Sequence, residues 1–84
     1  MHSTATLNEA VSFVIRSHRA RLGLSQESLS AKAEMHRTFV SKMEKASRNP
    51  TIDSVFRLAK AIGLEPEDLV REIKDKAREL DDAV

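Results

Sequence analysis

Helix-breaking residues are scarce in this chain. Its 84 residues include only two glycines and two prolines, and no stretch shows the sustained alternation with β-branched residues that is typical of a strand. Apolar residues instead recur every three or four positions, which is the spacing of one helix face. The pattern predicts an all-α domain of five helices around a single core, because a chain of this length has little room for a second one.

Capping signals predict where the helices begin and end. The stretch Thr6-Leu7-Asn8-Glu9 has the spacing of a capping box, in which two side chains satisfy free N–H groups of the first turn. It predicts the start of helix one, and Gly23 predicts its end. The other signals are two N-caps, a glycine stop and a proline in a first turn: Ser25, Thr51, Gly63 and Pro66.

The net charge of +1 hides an uneven distribution of charged side chains. Residues 16–48 carry eight basic and three acidic side chains, whereas residues 49–84 carry six basic and nine acidic ones. A concentrated basic region is the footprint of a polyanionic partner, although a solvated face is the commoner meaning of a charge run. Charge alone leaves both interpretations open.

The third predicted helix favours the first interpretation. In the stretch RTFVSKMEK, Val40 and Met43 lie three positions apart and are expected to face inward. Solvated helix faces usually mix Glu with Lys, but the opposite face of this helix carries cations and hydroxyls without a carboxylate. Nucleic-acid contact is therefore favoured for the outward residues, which are Arg37, Thr38, Ser41, Lys42 and Lys45.

The run I-R-x-x-R-x-x-x-G-L-S-Q-E-x-L at residues 15–29, followed by RTFVSKME and RNPTI, resembles the Xre/Cro-type helix-turn-helix transcriptional regulators. Within that family, the chain is similar to small stand-alone repressors and to restriction–modification controller proteins. The resemblance implies a five-helix, lambda-repressor-like fold that binds double-stranded DNA. It implies Gln26–Ala33 as the positioning helix and His36–Lys45 as the recognition helix.

The sequence predicts a division of the chain, and the resemblance implies a role for individual residues. Residues 1–8 form an N-terminal extension, residues 9–80 form the DNA-binding domain with a C-terminal dimerisation helix, and residues 81–84 form a tail. The residues placed to read base edges in the major groove are Arg37, Thr38, Ser41 and Lys42. Those placed to contact phosphates are His18, Gln26, His36, Lys45, Ser47, Arg48 and Asn49.

Other positions bear on the architecture. The resemblance pairs Arg19 with Glu44 in an ion pair that joins helix one to the recognition helix. Glu34 and Ala46 stand where the family often has glycine, so backbone strain is expected at both. His36 stands where a serine or threonine usually caps the recognition helix.

A homodimer built through helix five and neighbouring residues of helix four is expected, because an apolar stripe on helix five continues beyond the recognised motif. The stripe consists of Leu69, Ile73, Ala77 and Leu80. A symmetric second copy is the simplest cover, and it would present two recognition helices about 34 Å apart. The alternative is that the stripe folds back onto helix one, near Val11 and Val14, and leaves a monomer.

Enzymatic interpretations find little support. The histidines His2, His18 and His36 lack metal-ligand spacing, and no glycine-rich loop could hold a phosphate. We expect no catalysis, no cofactor and no metal site; without cysteine, thiolate ligands are excluded. No apolar run reaches the roughly 18 residues of a membrane span, so a cytoplasmic protein is expected. The remaining alternative is a protein-interaction role, such as an antitoxin or adaptor.

Overall fold

Five α-helices and no strand make up residues 2–83, the part of the chain that the computed structural model describes. The all-α, five-helix prediction is confirmed. The helices are α1 (Thr4–Leu22), α2 (Gln26–Lys32), α3 (Arg37–Glu44), α4 (Ile52–Ile62) and α5 (Pro66–Asp82).

Most helix boundaries follow the predicted capping chemistry. The hydroxyls of Ser25 and Thr51 each accept a bond from a backbone N–H three residues later. Gly23 and Gly63 end α1 and α4 in the left-handed conformation, with φ of 68° and 82°, where a side chain would add strain. Pro66 occupies the first turn of α5, where its missing N–H costs nothing.

The two ends of the chain differ from the prediction. Helix α1 begins at Thr4, not at the capping box, because Ser3 is the N-cap and its Oγ accepts from the Thr6 N–H at 3.1 Å. Asp81 and Asp82, expected in a tail, continue α5, and the Asp81 carboxylate contacts His2 Nδ1. Residues 1 and 84 of the predicted extension and tail lie outside the described residues.

The core lies where α1 packs along α5 and against α3. Its largest fully buried side chains come from every helix: Ile15, Leu29, Val40, Met43, Leu58 and Leu69. Helix α3 of the helix-turn-helix unit therefore packs on α1, which in turn packs along α5.

The part of the predicted dimer surface that lies on helix five is not exposed, because α1 covers it within one chain. Leu69 and Ala77 are fully buried, Ile73 is nearly so, and Leu80 packs against the same core. Helix α1 has 19 residues, long enough to lie beside the whole apolar stripe of α5. The stripe therefore packs onto helix one, as the alternative stated for this face of α5.

A different apolar surface stays exposed, and we call it the α4–α5 patch. It is formed by Ile52, Phe56 and Val70, whose exposed fractions are 74%, 57% and 49%. Together with Pro66, they line an open groove of about 620 Å³ between the start of α4 and the start of α5. Single exposed apolar residues are common on protein surfaces, whereas these three are grouped around one groove.

No helix within residues 2–83 is both long and apolar enough to cross a membrane.

Candidate nucleic-acid interface

A tight turn between α2 and α3 sets the direction of α3. The Met35 N–H donates to Ser30 C=O at 2.8 Å and reverses the chain after Ala33. Glu34 takes the left-handed conformation with φ of 54°, as its position in the motif predicts, at a cost of about 1 kcal/mol. From α4, Arg57 Nη1 donates to the Glu34 carbonyl at 3.4 Å. The turn is thus held from both sides despite its strain.

Helix α3 is anchored by its inner face and capped by an imidazole. Val40 and Met43 are fully buried, as predicted from their spacing. His36 is the N-cap, and its Nδ1 accepts a bond from the Thr38 N–H at 3.1 Å. A neutral imidazole that accepts at Nδ1 carries its proton on Nε2. His36 therefore caps the helix and keeps one donor facing outward.

The outer face of α3 brings together the four residues predicted to read bases. Arg37, Thr38 and Lys42 are exposed, and Ser41 is half-buried between them. With two flanking residues, His36 and Lys45, they line a shallow depression of about 350 Å³ whose lining contains no carboxylate. The depression therefore presents guanidinium, ammonium and hydroxyl donors to a ligand.

The loop after α3 lies against that helix. Ala46 adopts φ of 58°, which is the strain expected where the motif often has glycine. Both the N–H and the Oγ of Ser47 donate to Lys42 C=O at 3.0 Å. The guanidinium of Arg48 then lies over the ring of Phe39, 4.9 Å from its centroid. Ser47, Arg48 and Asn49 follow α3 in the chain and are all exposed.

The ion pair between Arg19 and Glu44 locks α1 to the end of α3. Arg19 Nε and Nη2 donate to the two carboxylate oxygens at 2.7 and 2.8 Å, and Nη1 donates to Leu24 C=O at 3.1 Å. The hydrogen bonds to Glu44 raise the pKa of Arg19 above its ordinary value. Glu44 also accepts from Gln26 Nε2 at 3.1 Å. One carboxylate thus joins α1, α2 and α3.

Residues 15–69, well over half of the chain, match the family described as Helix-turn-helix. The chain belongs to the helix-turn-helix family.

Similar helix-turn-helix proteins include two control proteins. One is C.BamHI from Bacillus amyloliquefaciens, 35% identical over 51 residues, a match that covers 61% of this chain and 63% of that protein. The other is C.SmaI from Serratia marcescens, 36% identical over 56 residues, with 67% of each protein covered. The match thus spans slightly less than two thirds of C.BamHI.

Solved structures extend the similarity beyond the helix-turn-helix unit. A point variant of the restriction–modification controller protein C.Esp1396I is 34% identical and superposes with a TM-score of 0.76, over 90% of this chain and 94% of that one. The same controller protein, solved as a tetramer in complex with its natural 35 base-pair operator, is 32% identical with a TM-score of 0.74, over 84% and 93% of the two chains. Helices α1 and α5 therefore belong to the shared fold.

In this helix-turn-helix protein, His18, predicted as a phosphate contact, makes its side-chain contacts away from α3. One residue along α1 from Arg19, it is turned toward α5 instead of α3. Its Nε2 lies 2.7 Å from Glu72 Oε1 and its Nδ1 accepts from Arg21 Nη2 at 3.0 Å. A partly buried imidazole beside a carboxylate is a structural contact between helices.

Two features of the helix-turn-helix scaffold were missed in the sequence. Ser12 is buried on α1, and its Oγ donates to the backbone carbonyl of Glu44 at 2.6 Å. Gln26 does not stand free at the start of α2, because its amide is oriented by the Glu44 carboxylate. A small polar residue at position 12, within the apolar stripe of helix one, was the available signal for the first of these contacts.

Proposed function

We propose that the chain is a sequence-specific, double-stranded DNA-binding transcriptional regulator that inserts α3 into the major groove. The observation that carries the proposal is the depression on α3. Its lining consists of one guanidinium, two ammonium groups, one imidazole and two hydroxyls, and it contains no carboxylate. An exposed helix with this chemistry complements the phosphates and the acceptor-rich edges of bases. Membership of the helix-turn-helix family supports the same conclusion.

Within that proposal, the residues of α3 divide by chemistry. Arg37 can donate its forked N–H groups to O6 and N7 of one guanine, and Lys42 can donate to the same kind of acceptors. Thr38 and Ser41 offer hydroxyls, and the Thr38 methyl group can contact thymine. The phosphate contacts that remain in the proposal are Gln26, His36, Lys45, Ser47, Arg48 and Asn49.

The type of regulator follows from the relatives. C.BamHI and C.SmaI are named control proteins, and C.Esp1396I is a restriction–modification controller solved on its operator. We infer that this chain is a regulator of the same kind, acting in the cytoplasm through binding and without catalysis.

We also infer a homodimer, now formed through the α4–α5 patch. Ile52, Phe56 and Val70 expose apolar surface around one groove, and C.Esp1396I, which shares this fold, assembles as a tetramer on its operator. A twofold axis through the patch would pair the same surface of two copies. In this arrangement, two α3 helices would reach successive major grooves about 34 Å apart, with half-sites roughly 10 base pairs apart.

Selection of bound sequences from a random duplex pool tests the function. We expect enrichment of an inverted repeat and an affinity that falls steeply as salt rises, because phosphate contacts release counterions. A pool without enrichment, together with affinity that does not respond to salt, would refute DNA recognition. That result would favour the protein-interaction role, and the α4–α5 patch would then be the first surface to examine.

A further inference from the structure

We propose that Phe39 is a positioning residue for DNA binding, because its ring holds the Arg48 guanidinium in place beside α3. The inference rests on the proposed DNA-binding function and deepens it. It assigns a role to an aromatic side chain that cannot itself pair with a phosphate or a base edge through hydrogen bonds.

The Phe39 ring contacts both the hydrophobic core and the Arg48 guanidinium. Phe39 is half-buried and packs against the hydrophobic core, between the exposed Thr38 and the buried Val40 of α3. Its remaining face is covered by the Arg48 guanidinium, 4.9 Å from the ring centroid. This distance lies within the range of attraction between a cation and an aromatic face.

The backbone brings Arg48 to that ring. Ser47 is tied to the end of α3 by two hydrogen bonds to Lys42 C=O, so the residue after it starts from a fixed point. Within residues 2–83, the Arg48 guanidinium is held by the ring and by no hydrogen bond to another side chain. The base of the side chain and its tip are thus positioned by two separate contacts.

The arrangement suits phosphate binding. A guanidinium held over an aromatic ring keeps N–H groups that the ring does not use, since the group carries five of them. Arg48 therefore remains able to donate to a phosphate while much of its conformational freedom is already lost. A ring at this position pre-organises one cation just after α3, the helix whose Arg37 and Lys42 line the depression.

The test compares the full chain with Phe39→Leu, Phe39→Tyr, Arg48→Ala and the double variant Phe39→Leu/Arg48→Ala. Affinity for the selected duplex is measured by fluorescence anisotropy. Leucine keeps an apolar group toward the core but removes the ring, so we expect binding to weaken about 2- to 5-fold. Tyrosine keeps the ring and should bind at least as well as the unaltered chain. In the Arg48→Ala background, Phe39→Leu should have no further effect.

A second aromatic pair provides a matched control. Phe13 on α1 has Lys76 Nζ 3.8 Å from its ring centroid, on the α1–α5 side of the molecule and outside the depression. Phe13→Leu removes the same kind of contact, and we expect unchanged DNA affinity. Equal weakening by Phe13→Leu and Phe39→Leu would mean that general loss of packing explains both, which overturns the proposal.

A measurement without DNA separates failure of the positioning role of Phe39 from failure of the proposed DNA-binding function. In the free protein, the side-chain protons of Arg48 should show an upfield ring-current shift that Phe39→Leu abolishes and Phe39→Tyr preserves. If that shift is absent, or if Phe39→Leu weakens binding equally with and without Arg48, the positioning role is wrong while DNA binding stands. If the shift is present but the chain binds no DNA, the proposed function is wrong, and the positioning role is refuted with it.

Discussion

Breaking the ion pair between Arg19 and Glu44 should destabilise the fold unequally from its two sides. The Glu44 side chain is only 4% exposed, whereas that of Arg19 is 26% exposed. Arg19→Ala leaves a carboxylate in the interior with Gln26 as its remaining side-chain donor. Loss of one partner of a buried pair costs about 3–5 kcal/mol. Because Gln26 still donates, we expect the lower end, about 3 kcal/mol.

The opposite substitution should cost less. In Glu44→Ala, the guanidinium keeps its bond to Leu24 C=O and, being partly exposed, can reach water. Hydrogen bonds to charged groups contribute roughly 1.5–3 kcal/mol, and we expect about 1–2 kcal/mol here after partial hydration. The double variant removes the stranded carboxylate as well. Its cost should therefore fall below the sum of the two single variants by at least about 1 kcal/mol.

Urea unfolding followed by circular dichroism measures all four proteins of this cycle. A matched cycle on Arg71 and Asp68 serves as control, since these residues form a 3.0 Å pair on the exposed face of α5. Exposed pairs of this kind couple by roughly 0.3–0.5 kcal/mol. The reasoning fails if the Arg19–Glu44 coupling does not exceed the control coupling, or if Glu44→Ala costs more than Arg19→Ala.

Three further predictions concern the interface, the dimer and backbone strain. Arg37→Ala should cost about 1–3 kcal/mol of specific affinity and relax preference at one base pair, whereas Lys45→Ala should weaken all duplexes alike and lower the salt slope by about one; quantitative shift assays on cognate and random duplexes distinguish them. Ile52→Asp with Val70→Asp should give a folded monomer in sedimentation that loses cooperative binding, and a dimer that persists would contradict the α4–α5 patch. Ala46→Gly should raise the free energy of unfolding by about 0.5–1 kcal/mol by relieving φ of 58°, and a loss of stability in urea would contradict that strain.

The local chemistry of the fold was predictable because it depends on neighbours in the chain. Ser25 and Thr51 cap helices through bonds to residues three positions later, and Glu34 takes the left-handed turn that its place in the motif requires. The boundaries that failed involve the ends of the chain. Ser3 starts α1 before the capping box does, and Asp81 stays helical where it contacts His2, a contact between residues that lie far apart in sequence.

At the candidate interface, too, local features were predictable from the sequence and long-range packing was not. The outward residues of α3 follow from helical spacing once Val40 and Met43 are placed inward, and the structure groups them on one concave surface. The direction of His18 could not be predicted, because it depends on a rotation of one residue relative to Arg19. Only the packing of α1 between α3 and α5 decides which of these two side chains faces the interface.

The apolar pattern identified buried faces correctly but could not identify what covers them. A stripe such as Leu69, Ile73 and Ala77 requires an apolar neighbour, and α1 satisfies that requirement within the chain. The sequence did not predict the exposed patch, because Ile52 has the same apolar spacing as the buried Val55 and yet is 74% exposed. Phe56 lies four residues after Ile52 and therefore on the same side of α4, which gives this helix a second apolar strip. The single core of the chain buries one apolar side of α4 and leaves the other exposed. That exposed side is the physical basis for the proposed contact of a second copy of the chain with α4.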